Sequence, residues 1–144
     1  MEYLRPSIAA FLLLSTLLYA CKTAEVAPTN RVALKADQSA RLQNNVTVRV
    51  DSLTDSRCPE GVTCIWEGNS VVNTTLSKAA DKAQVRLILG RDITAKGNHP
   101  RADSTSVVLV GETYKVVLRD VTPYPSVKQP ASPATQAIIE VSKL

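Results

Sequence analysis

From Arg31 onward the apolar positions of this chain recur with a period of two. Val46, Val48 and Val50 alternate with Thr47, Arg49 and Asp51, the pattern of a strand with one face buried and the other in water. Val72, Thr74 and Leu76 follow the same rule, and Val62, Cys64 and Trp66 share their parity. A strand interrupted by a bulge or bend at Gly68-Asn69-Ser70 is therefore predicted. Val85, Leu87 and Leu89 form a further face. Ser106–Val110 and Thr113–Val121 flank Gly111 and Glu112, and Gly at the first position of a two-residue loop predicts a type II′ hairpin. In the second of these strands Tyr114, Val116 and Leu118 point one way, Lys115 and Arg119 the other. Ala137–Val141 closes the series, and Val32–Leu34 is a weaker first member.

Three stretches break the pattern. Ser77–Ala83 and Arg91–Thr105 are polar, and Thr122–Pro133 carries Pro123, Pro125, Pro130 and Pro133, which can neither extend a ladder nor continue a helix. No segment has the length and 3.6-residue period of an amphipathic helix, and no internal repeat occurs. About seven short strands in one domain over 31–144 predict an all-β fold, an antiparallel β-sandwich of immunoglobulin-like type, with a small β-barrel as the alternative.

The N-terminus belongs to a different class of sequence. Ile8–Tyr19 is an uninterrupted apolar run apart from Ser15 and Thr16, too short to span a bilayer but of the length of a signal-peptide core. Residues 1–20 are expected to be removed. Leu18-Tyr19-Ala20-Cys21 resembles the lipobox of bacterial lipoproteins, in which a small residue precedes a cysteine that is acylated and becomes the new N-terminus. That resemblance implies lipid on Cys21, a polar tether over 21–30, and a protein seated on a membrane without spanning it.

Charge and cysteine usage narrow the partners. Of 144 residues, 17 are Lys or Arg and 13 Asp or Glu, a net charge of +4. The basic residues are scattered, and only Trp66, Tyr114 and Tyr124 remain as aromatics beyond the signal, so neither a nucleic-acid face nor a stacked-ring carbohydrate platform is expected. With Cys21 assigned to lipid, Cys58 and Cys64 are left as a pair in an oxidising compartment, where a disulfide is the default state. Their C-x5-C spacing is not that of a thiol oxidoreductase, and no second Cys or His pair completes a zinc site.

The most distinctive segment is Asp55-Ser-Arg-Cys-Pro-Glu-Gly-Val-Thr-Cys-Ile-Trp-Glu-Gly-Asn69. It resembles a DSRCPxGxxCxWxG motif of small bacterial exported proteins and lipoproteins, whose later Pro-rich step is similar to Leu118–Pro125 here. The resemblance implies an exported β-rich domain with the Cys pair bridged, and it implies no reaction. Glu67 departs from the motif, where a small apolar residue is expected after the Trp. Physically, Pro59 and Gly61 provide the turn that brings the sulfurs together, Gly68 the bend beyond, and Trp66 falls on the side of Cys64 to pack on the bridge. Asp55, Arg57, Glu60 and Glu67 form the candidate binding rim, although Asp and Arg two apart also pair with each other.

The single histidine, His99, lies in a loop-type segment, no Gly-x-Ser-x-Gly elbow is present, and no paired carboxylates stand out. No catalytic residue, metal or cofactor is expected. The expected function is a noncatalytic binding or structural module of the bacterial cell envelope, anchored at the outer membrane and facing the periplasm or cell surface, with an envelope protein or small ligand as partner. The alternative is a small envelope enzyme or metal carrier using His99 with carboxylates.

Overall fold

A computed structural model describes residues 30–91, 103–128 and 134–144. Cys21 with its signal and most of its tether, His99, Pro130 and Pro133 lie outside the described residues. Eight strands occur: β1 Arg31–Leu34, β2 Ser39–Arg41, β3 Thr47–Asp55, β4 Asn69–Lys78, β5 Asp81–Gly90, β6 Ser104–Leu109, β7 Glu112–Thr122 and β8 Gln136–Lys143. They form two antiparallel four-stranded sheets, ordered β1-β8-β7-β6 and β2-β3-β4-β5.

The all-β antiparallel sandwich is as the alternation predicts. Within each sheet sequence neighbours pair, so the connectivity is two meanders with β1 added beside β8. Taken cyclically, β1 through β8 run in the order of an up-and-down barrel opened at two seams, β1/β2 and β5/β6, where strands of the two layers lie against each other.

The core sits between the layers. Val46, Val48, Val50, Val72, Leu76 and Leu87 line the inner side of one layer, and Tyr114, Val116, Leu118, Ile139 and Val141 that of the other, all at 1% exposure or less. Extraction of this apolar surface from water is the main driving force for the two layers to stack. One irregularity lies in each sheet: the register shifts between Val50 and Ser52 in β3, and between Leu118 and Asp120 in β7.

Several expectations change. Residues 62–66 are not strand; the interruption at Gly68 is the junction where a long loop enters β4. Ser77–Ala83 is a hairpin, with Lys78 opposite Asp81 and the turn made by Ala79 and Ala80. Ala79 has φ 51°, a left-handed conformation for which the sequence carries no Gly or Asn signal. The β6–β7 turn is Val110-Gly111, with Glu112 already in β7. Both turn residues have positive φ, 52° and 72°, so the turn is of type I′ and not II′. Ser104 and Thr105 belong to β6, and β7 continues through Thr122.

The registers sort the connections by end. The Ala79-Ala80 and Val110-Gly111 turns and the β2–β3 turn lie at one end, tied by the Lys78 ion pair to Glu112 and by the Val110 N–H donating to Asp81. The connections after Asp55, Gly90 and Thr122 all leave from the other end.

Candidate functional site

The loop from Ser56 to Gly68 occupies that second end. The disulfide Cys58–Cys64 closes it, with Cα atoms 5.9 Å apart. Its base is pinned at both strands. The Ser56 N–H and hydroxyl donate to the Asn69 carbonyl at 2.9 Å, and the Cys58 N–H donates to the Glu67 carbonyl at 2.9 Å. Gly68 has φ +73°, and a Cβ there would lie 2.0 Å from the Ser56 carbonyl oxygen. Only glycine permits so close a backbone approach. Asn69, buried, donates from its amide to the Arg91 carbonyl at 2.8 Å.

Arg57 fastens this loop to the opposite sheet. Its guanidinium donates to both Asp55 carboxylate oxygens, at 2.8 and 2.7 Å, and to the Val121 carbonyl at 2.7 Å, and it lies 4.5 Å from the Tyr124 ring centroid. Ser70 adds a 2.7 Å hydrogen bond to Asp55. The Arg57 and Asp55 side chains are 9% and 10% exposed. Burial opposes ionisation of Asp55, but the hydrogen bonds from Arg57 and Ser70 together outweigh it and hold its carboxyl below the usual range. The hydrogen bond to Asp55 raises Arg57 in turn.

A pair of backbone bonds lies beside the Arg57 contacts. The Glu60 N–H donates to the Pro125 carbonyl at 2.9 Å, and the Val127 N–H donates to the Glu60 carbonyl. The Thr122–Pro123 peptide is cis. Pro59, Pro123, Pro125 and Val127 border a small cleft of about 280 Å³ beside Asp55, and Gly61 leaves room for Val127.

The candidate rim therefore divides. Asp55 and Arg57 form a buried clamp, whereas Glu60 and Glu67 are exposed. Pro59, Gly61 and Gly68 serve the loop's geometry. Trp66 does not join the core: it is 44% exposed, and its neighbour Ile65 is 106% exposed. The physical reason is that no strand among the described residues pairs with residues 62–66, so the parity they share with β4 never becomes a common buried face.

Sequence reasoning missed Ile65, because one apolar residue between Cys64 and Trp66 reads as part of a strand. It also missed Tyr124 and Val127 as surface residues. Together with Val62 and Trp66 they account for five of the eight exposed large hydrophobic residues among those described, so apolar exposure concentrates at this end. Ile65, Trp66, Glu67 and Arg91 line an open groove of about 660 Å³. Among the described residues no group of three His, Cys, Asp or Glu side chains is arranged to hold a metal ion, and no helix is long and apolar enough to cross a membrane. The chain matches no protein-family model, no curated protein and no solved structure.

Proposed function

We propose that this protein is a noncatalytic binding module, held at a bacterial cell envelope by lipid on Cys21, that recognises its partner through the Cys58–Cys64 loop. The observation that carries the reading is the display of Ile65 and Trp66 on a loop pinned by a disulfide, by the Arg57–Asp55 ion pair, by backbone bonds to Asn69 and Pro125, and by the Arg57 side chain donating to the Val121 carbonyl of the opposite sheet. Apolar side chains held rigidly in water lose little entropy on binding, and Trp is prominent among residues that dominate interface energies.

The direction of display supports it. The Asn30 carbonyl accepts from Val141, and Arg31 pairs with Glu140, so the chain enters β1 toward the hairpin end and the loop cluster lies at the opposite end. The nine residues 22–30 that follow Cys21 reach at most about 30 Å, enough to lift the sandwich off a surface with its loops outward.

A photoreactive side chain at Ile65 in the native envelope is expected to yield a discrete cross-linked adduct. The same group at Gln43, exposed at the hairpin end, is expected to yield none. Equal labelling at both positions, or none at Ile65, rejects recognition by the loop. Separately, Cys21→Ser should transfer the protein from the membrane fraction to the soluble one; retention in the membrane rejects the anchor.

A further inference from the structure

The groove beside the disulfide loop is lined by an acid and a base, Glu67 and Arg91, together with the apolar pair Ile65 and Trp66. Both charged residues are exposed, and neither side chain has an ion-pair or hydrogen-bond partner among the described residues. They share a groove without pairing to each other. The loop itself, from Cys58 to Gly68, carries Glu60 and Glu67 and no base, so two such loops laid directly on each other would repel. Arg91, at the end of β5, changes that balance. Under a two-fold axis a patch meets itself, residue i touching j while j touches i. A surface that carries one acid, one base and apolar side chains can meet its own rotated copy with unlike charges opposed.

We infer that the occupant of this groove is a second copy of this chain, packed isologously. Ile65 and Trp66 meet their counterparts, and Glu67 of each copy pairs with Arg91 of the other. This inference rests on the loop-end recognition reading and names its partner. The concentration of exposed hydrophobic residues at the same end, with Val62 next to the pair, supplies apolar surface for the centre of the contact. The two charge pairs fix its register and exclude partners with like charges.

Charge exchange tests it. Two full-length chains bearing different epitope tags are coexpressed, extracted in mild detergent and recovered through one tag, and the yield of the other is measured. Wild-type copies are expected to recover each other. Glu67→Arg on both copies, or Arg91→Glu on both, sets like charges face to face and is expected to lower co-recovery about tenfold or more. Mixing a Glu67→Arg copy with an Arg91→Glu copy restores both pairs in opposite polarity, and co-recovery is expected to return. Because each variant is then present in a recovering pair, misfolding is separated from lost contact. Absence of wild-type co-recovery overturns the inference, as does indifference to the single charge changes or failure of the mixed pair to recover. A discrete adduct from Ile65 to a different protein, without co-recovery of tagged copies, overturns self-pairing while leaving recognition by the loop intact.

Discussion

The two ends of the sandwich are closed by opposite means. At the hairpin end the turns are two to five residues long and the charges that tie them are partly exposed to water. Glu112 accepts from Lys78 and Lys143, both at 2.6 Å, and Tyr114, whose ring is buried, reaches the same cluster with its hydroxyl. The Glu112 and Lys143 side chains are 34% and 56% exposed. At the loop end the tie is buried, Arg57 and Asp55 being about one-tenth exposed, while the apolar side chains Ile65 and Trp66 are outside. The hairpin end exposes Val110 and Leu144 as well, so the ends differ in the tying ion pair, which is far more withdrawn from water at the loop end. Such burial is stable only because Arg57 finds carboxylate, carbonyl and aromatic partners at once, and its effect is to hold a recognition surface without recruiting that surface into the core.

Arg57 carries the largest share of this difference between the two ends. Replacement by alanine leaves Asp55 buried without its cation, which costs about 3 kcal/mol or more, and frees the loop from Val121. A large fall in denaturation midpoint, with Trp66 fluorescence shifting before global unfolding, is expected. A loss no greater than that from Lys143→Ala would show the buried clamp to be no stronger than a surface pair.

Removing the disulfide should matter less. Its ring is short, for which the chain-entropy model gives about 2 kcal/mol, and the loop base remains held by Ser56, Arg57 and the Cys58 N–H. Cys58→Ser with Cys64→Ser is therefore expected to lower the melting temperature by less than Arg57→Ala does. The reverse order would transfer the pinning role from the clamp to the bridge.

The smallest effect belongs to acid. Hydrogen bonds from Lys143 and Lys78, with Tyr114, hold the Glu112 carboxyl at about 2, and those from Arg119 and Arg31 hold Glu140 at about 2, against an ordinary 4.5. A depressed carboxyl contributes stability that is complete above its unfolded value and is lost as pH falls through the folded one. Stability should thus decline between pH 4.5 and 2, and Glu112→Gln should flatten part of that decline. The groups are partly exposed, so added salt should shrink the effect. A profile that Glu112→Gln leaves unchanged removes the hairpin-end cluster from the acid response.

Most of the strands are legible in the chain because alternation reports directly on a sheet with one buried face. Val46-Val48-Val50, Tyr114-Val116-Leu118 and Ala137–Val141 all lie where their period places them. The Ala79-Ala80 turn is not legible: small residues carry no preference for positive φ, and only the pairing of the ten-residue strands β4 and β5 forces the reversal there. Residues 62–66 mislead for the complementary reason. Alternation marks a strand only when a neighbour exists to pair with it, and the chain between Ser56 and Gly68 is instead fastened through Arg57, Glu60 and Glu67 backbone and side-chain bonds.

The sequence by itself determined the class of fold, two layers of alternating strands, and the bridging of Cys58 to Cys64, because period and cysteine pairing are local or compositional properties. Only the tertiary structure decided the strand order, the burial of Asp55 and Arg57, and the exposure of Ile65 and Trp66. Each depends on what a distant segment supplies: Arg57 is covered because Val121 at the end of β7, and Pro123 and Tyr124 just after it, arrive beside it, and Trp66 is exposed because nothing among the described residues arrives to cover it.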